Sequence, residues 1–126
     1  MAVPQSVTVL DGDSGCPRLP IVRGEGTALA IVWPGMGAQM RSMCRIVLEA
    51  ASATVQLSHP MEAVYYVIAG TGSVIDASLG ETRPVVEGSM IHIEPGTHYS
   101  FLAGQSGLEI IGGPCPADAE LFRSIY

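Results

Sequence analysis

Lysine is missing from this 126-residue chain, whose six basic residues are all arginine. Without a side-chain amine, Schiff-base chemistry is excluded. The arginines are scattered and the formal charge is −6. No cationic cluster exists to neutralise phosphates, so nucleic acid is not expected as a partner. Charged residues make up only 14% against 48% apolar, a balance that excludes a disordered chain. Cysteine is sparse: Cys16, Cys44 and Cys115 are odd in number, widely spaced and form no C-x-x-C. That pattern suits a reducing compartment better than a disulfide framework. No apolar run approaches the roughly 18 residues of a membrane span. The opening Met-Ala-Val-Pro-Gln-Ser has no basic region followed by an apolar stretch, so no signal peptide is expected and the location is read as cytoplasmic. There is no G-x-S-x-G, phosphate-binding glycine loop or dinucleotide fingerprint.

The residues present favour β structure. Gly 15 and Pro 9 are many for a helical bundle, because both break helices and make turns. The length fits one domain over residues 1–126, large enough to bury roughly two-thirds of its unfolded surface without a staple. After a stretch broken by Pro4, Pro17 and Pro20, with one strand at Ser6–Leu10, β-rich runs alternate with turns. They fall at Thr27–Trp33, Gln39–Ala50, Thr54–Leu57, Val64–Ala69, Ser73–Ala77, Val85-Val86, Met90–Ile93, Tyr99–Leu102 and Leu108–Ile111. Gly70-Thr71-Gly72 reads as a hairpin turn between two of them. Only Ala117–Ile125 reads as a helix, with Leu121, Phe122 and Ile125 as its apolar stripe. Eight to ten strands with almost no helix give a sandwich or barrel.

Two segments carry a family resemblance. His59-Pro-Met-Glu62-Ala-Val-Tyr65-Tyr66-Val-Ile-Ala-Gly70-Thr-Gly72 resembles the first motif of the cupins, and Gly88-Ser-Met-Ile-His92-Ile-Glu-Pro95-Gly96-Thr-His98-Tyr99 resembles the second. The likeness covers about residues 55–102. It implies an all-β, double-stranded β-helix (jelly-roll) barrel, here with a short C-terminal helix. It also implies an interior metal site of histidines and a glutamate, holding one divalent ion: Fe, Mn, Ni or Zn. Residues at i and i+2 of a strand share a face, so an H-x-H pair aims two imidazoles at one ion. By position, the resemblance assigns His59, Glu62 and His98 as metal ligands.

The match departs from the family pattern at three points. Leu57 stands where the first histidine of H-x-H belongs. Glu62 lies eight residues before Gly70, leaving Ala63 in the glutamate's usual slot, and one residue of displacement changes the face of a strand. Pro95-Gly96-Thr97-His98 is one residue shorter than the common second motif. Within the superfamily, Glu62-Ala-Val-Tyr65, Gly88-Ser-Met90 and His98-Tyr99 are similar to parts of ectoine synthase, whose iron is held by a Glu, a Tyr and a His. That tyrosine's position falls at Ile91 here, with His92 next to it.

Further candidates follow from strand parity. Tyr65 and Tyr66 point to opposite faces, so one reaches the interior, and with His92 they are the candidates for acid–base catalysis. Arg41 and Arg45 share one face of the Gln39–Glu49 run and, with His92, are candidates for binding a substrate carboxylate. Three functions stay open: a metal-dependent lyase, cyclase, isomerase or dioxygenase on a small polar substrate; a metal-free small-molecule-binding protein with a degenerate metal site; and a metal-free enzyme using histidine as acid and base. Exposed strand edges, and the habit of cupins to pair through their sheets, lead to the expectation of a homodimer, with no membrane partner.

Overall fold

The computed structural model describes residues 6–126. Its strands are β1 (Val22–Arg23), β2 (Gly26–Val32), β3 (Met43–Leu48), β4 (Ala53–Thr54), β5 (Ala63–Asp76), β6 (Glu81–Val86), β7 (Met90–Ile93) and β8 (Tyr99–Pro114). All pairings are antiparallel and run in the order β1-β4-β8-β3-β2, with β5 joining β6, β7 and β8.

Two long strands organise the barrel. β5 and β8 pair from Ala63↔Pro114 to Asp76↔Tyr99. On its other side β5 pairs first with β7 and then with β6. β8 likewise pairs with β4 near its start and β3 near its end. Each long strand therefore crosses from one face of the jelly roll to the other. The bend is local: register shifts occur between Val67 and Ala69 and between Gly70 and Gly72. Gly70 sits at φ 85°, and a Cβ there would strike the Gly107 carbonyl oxygen. Gly70-Thr71-Gly72 is thus a bulged bend inside one strand, not the hairpin turn its glycines indicate. For the same reason two expected strands on each side of these bends merge into one.

Parity sorts the side chains. On β5, Ala63, Tyr65 and Val67 are buried while Val64, Tyr66 and Ile68 are exposed. On β3, Cys44, Ile46 and Leu48 face inward, and Met43, Arg45 and Val47 lie on the outer face. Tyr65 and Phe101 meet edge-on, with ring centroids 4.9 Å apart at 73°, at the middle of the core. Such an arrangement sets a positive ring edge against a negative face.

Both expected terminal elements differ. Ser6–Leu10 makes no strand: Val7 and Val9 are 91% and 90% exposed. β propensity alone does not supply the missing ladder. The following turn is instead fastened to the outer face by Arg45, which bonds the Gly12 carbonyl and the Asp13 carboxylate. Ala117–Ile125 is not an α-helix but a run of tight turns ending in one 3-10 turn, Arg123–Ile125. The Asp118 carboxylate accepts the Glu120 N–H locally, which competes with helix formation, and the segment is too short to recover a helix nucleus. Phe122, fully buried against Trp33 at 5.6 Å, anchors this segment to the body. Among the described residues no helix is long and apolar enough to cross a membrane.

Candidate functional site

The interior end of the first motif is clasped to the start of β8. Leu57 and Tyr99 exchange both backbone hydrogen bonds, at 2.7 and 2.8 Å, and the Gly96 N–H donates to the His59 carbonyl at 2.8 Å. This clasp brings Leu57, His59, Ala63 and Tyr99 into the barrel, with exposures of 8, 4, 1 and 0%.

From there a chain of side-chain hydrogen bonds crosses the core. His59 Nδ1 lies 2.7 Å from Asp118 Oδ2, and His59 Nε2 lies 2.7 Å from the Tyr99 hydroxyl. The Tyr99 hydroxyl lies 2.7 Å from that of Tyr65. The partners fix the directions. A carboxylate accepts from Nδ1–H, so neutral His59 presents Nε2 as an acceptor for Tyr99 O–H. The Tyr99 oxygen then accepts the Tyr65 O–H. Burial pushes both phenols above their ordinary range; the neighbouring Tyr99 and Cys44 reinforce this at Tyr65, while the hydrogen bond from Tyr65 partly offsets it at Tyr99. Both hydroxyls therefore keep their protons at neutral pH. No buried side-chain nitrogen or oxygen among the described residues is left without a partner.

Two cavities touch this chain. One, about 460 Å³, opens at the mouth of the barrel between β5, β6 and β7. Val74, Ile91 and Ile93 form its apolar walls, Asp76 and Arg83 stand at its polar rim, and Tyr99 closes its floor. The other, about 590 Å³, is a cleft between the C-terminal segment and the body, bordered by His59, Asp118, Gln56 and Arg123. The mouth is the smaller of the two but the more enclosed, because inward-facing strand residues surround it.

The expected metal ligands do not come together. His59 is buried with both ring nitrogens engaged. Glu62 is exposed on the outer side, 3.3 Å from His92, and His98 is exposed beside Gln56 at 3.2 Å. Among the described residues no group of three histidine, cysteine or acidic side chains is arranged to hold an ion. Strand parity is the cause. Ala63, not Glu62, faces inward, and the shortened turn brings Tyr99 inward in place of His98. The residues actually inside, Leu57, His59, Ala63 and Tyr99, do not fit a metal: two lack donor atoms and the other two are bonded to each other.

The other candidates divide similarly. Tyr65 reaches the interior as expected of one of the pair, while the side chains of Tyr66 and His92 are exposed on the outer face, and His92 also borders the mouth cavity. Their side chains are thus separated from Tyr65 by the sheet, and the three do not form one catalytic group. Arg45 is tied to Glu109 at 2.9 Å and to Asp13, and Arg41 is exposed beside Met43 and Glu62 on the outside. Neither arginine faces the barrel mouth. Sequence reasoning missed Tyr99 and Asp118. The one-residue deletion was a signal for Tyr99, since it reverses parity; nothing local marks Asp118, which reaches His59 across 59 positions of chain.

No family model matches the chain, and no curated protein matches it. Solved structures do. The polyketide cyclase RemF from Streptomyces resistomycificus is 20% identical over 90% of this chain and 81% of its own, with a TM-score of 0.73. A predicted oxalate decarboxylase from Thermotoga maritima is 20% identical over 83% of this chain and 96% of its own, TM-score 0.67. A cupin 2 conserved barrel domain protein from Salinispora arenicola is 14% identical over 97% and 96%, TM-score 0.63. The chain has the cupin fold, and the motif resemblance to that superfamily is borne out at the level of architecture.

Proposed function

We propose that this protein is a metal-free cupin that takes a small molecule into the mouth of its barrel. One observation carries the reading: the interior positions hold Leu57, Ala63 and a mutually bonded His59–Tyr99 pair instead of a ligand set. A polyketide cyclase and a predicted oxalate decarboxylase share the barrel, so the fold accommodates very different molecules and the choice rests on the walls. Val74, Leu79, Ile91 and Ile93 favour an apolar body, and Asp76, Arg83 and Thr97 favour polar substituents at the opening. The three free thiols support a reducing, cytoplasmic setting.

The test is elemental analysis of untagged protein after incubation with Mn, Fe, Ni and Zn, next to a Leu57→His/Ala63→Glu/Tyr99→His variant. We expect retention of metal by the variant only. A near-stoichiometric ion in the native protein, lost on His59→Gln or His98→Ala, would restore the metalloenzyme reading. Amide NMR with apolar fragments checks the second half: shifts should concentrate at Ile91, Ile93 and Thr97.

A further inference from the structure

The Asp118–His59–Tyr99–Tyr65 chain has features that packing does not require. It is directional, fully buried over its two tyrosines, and runs from the C-terminal cleft, where Asp118 and His59 lie, to the floor of the barrel mouth, where Tyr99 lies. A carboxylate orienting an imidazole, whose other nitrogen takes a hydroxyl proton, is the arrangement that turns a weak oxygen acid into a base. Here the oxygen belongs to a tyrosine.

We propose that Tyr99 is the acid–base residue of this barrel, with His59 as its proton acceptor and Asp118 and Tyr65 as positioning residues, and that the substrate class is a carbonyl compound with an acidic α-hydrogen. The proposal rests on the barrel mouth being the ligand site and on its walls parting enough for a ligand to reach the Tyr99 hydroxyl, which is buried beneath the cavity that Tyr99 borders. The step balances within the protein and the substrate. The Tyr99 oxygen takes the α-proton while its own proton passes to His59 Nε2. The electron pair of the broken C–H bond moves onto the carbonyl oxygen, giving the enolate. The His59 imidazolium so formed faces the Asp118 carboxylate at 2.7 Å. Reversal returns a proton to carbon, to the same or a different face. No oxidant, metal or cofactor enters.

The chemistry of the chain supports this assignment over a base acting alone. A phenol held protonated by burial cannot ionise to act as a free phenolate base. It can take one proton only while releasing another, and His59 Nε2 is positioned to receive it. Tyr65 O–H occupies one lone pair of the Tyr99 oxygen, which leaves the second for the substrate. The mouth's walls of Val74, Ile91 and Ile93 suit an apolar carbonyl compound, and its volume of about 460 Å³ admits a fused two-ring skeleton.

The experiment uses the full-length protein and β-tetralone as the probe. Amide NMR measures its binding at the mouth, and proton NMR in deuterated buffer measures loss of its α-hydrogens. We expect binding at Ile91, Ile93 and Thr97 and exchange well above buffer. Tyr99→Phe should cut exchange about 100-fold, the scale of a lost general acid–base group, with the dissociation constant unchanged. Asp118→Asn should slow exchange without weakening binding, and Asp118→Glu should recover part of the rate, which a merely structural carboxylate would not produce. Thermal melts of each variant exclude loss of fold, and Tyr65→Phe serves if Tyr99→Phe does not fold. Binding without exchange above buffer, or exchange unaffected by Tyr99→Phe, overturns the relay and leaves the ligand site standing. Absence of binding at the mouth overturns both.

Discussion

Replacing Tyr99 with phenylalanine tests whether the buried chain is one connected unit. The ring and its packing against Phe101, at 5.8 Å, remain, and only the hydroxyl goes. That hydroxyl is donor to His59 and acceptor from Tyr65, so its loss leaves a buried acceptor and a buried donor unpaired, at 4% and 2% exposure. Each orphaned group costs about 1–3 kcal/mol, so Tyr99→Phe should destabilise by about 2–5 kcal/mol. Tyr65→Phe removes only a donor to an oxygen that still has His59, and should cost about 1 kcal/mol. In the double variant the Tyr65 orphan no longer exists. Its cost should therefore fall short of the sum of the singles by about 1–2 kcal/mol. Urea unfolding of the three variants and the native protein, at unchanged m, gives this coupling directly. Additivity within about 0.5 kcal/mol would mean that the two hydroxyls do not share a bond, and the directional chain would be refuted.

How far the sequence disclosed the fold depended on what its patterns encode. The alternation along Ala63-Val64-Tyr65-Tyr66-Val67-Ile68 states both the strand and its inward face, and the structure has both. Glycines mark a change of direction without saying which kind. Gly70-Thr71-Gly72 has the composition of a hairpin turn, yet the strand continues through it, because the partner that decides lies at Gly107 and Leu108, far along the chain. Membership of the candidate site was harder to read than its neighbourhood. The two motifs meet at the end of the barrel where His59, Ala63 and Tyr99 are buried, but carrying ligands over by residue type selected Glu62 and His98, which parity turns outward. Parity counted from Leu57 and from the shortened Pro95–His98 turn selects Ala63 and Tyr99 instead. Asp118 was beyond reach, since its role depends on where Phe122 docks the C-terminal segment against Trp33. A helical reading of that segment followed from its apolar spacing, and the local Asp118–Glu120 bond that defeats it carries no periodic signal.

Three further outcomes follow from features outside the hydrogen-bonded relay. Burial raises the Cys44 thiol from 9.0 to about 12, whereas Cys16 and Cys115 are half-buried. At pH 8 a thiol reagent should therefore label Cys16 and Cys115 in the folded protein and reach Cys44 only on unfolding; rapid labelling of all three would contradict the packing of β3. Because the folded-state value is the raised one, Cys44 favours the folded state below pH 9, and this contribution should decline as the pH rises from 9 towards about 12, visible as a falling melting temperature. The outer face of β5 and β7 bears Val64, Tyr66, Ile68 and Met90 at 42, 41, 38 and 67% exposure, and Arg41 and Glu62 line the groove that includes Val64, Tyr66 and Met90. Two copies related by a two-fold axis would bury these apolar groups together and set Arg41 of each opposite Glu62 of the other, an isologous contact of the kind that closes. We propose a homodimer through this face. Sedimentation should give a dimer for the native protein and a monomer for Tyr66→Arg/Met90→Asp, both substitutions lying outside the barrel core, and a native monomer at micromolar concentration would refute it.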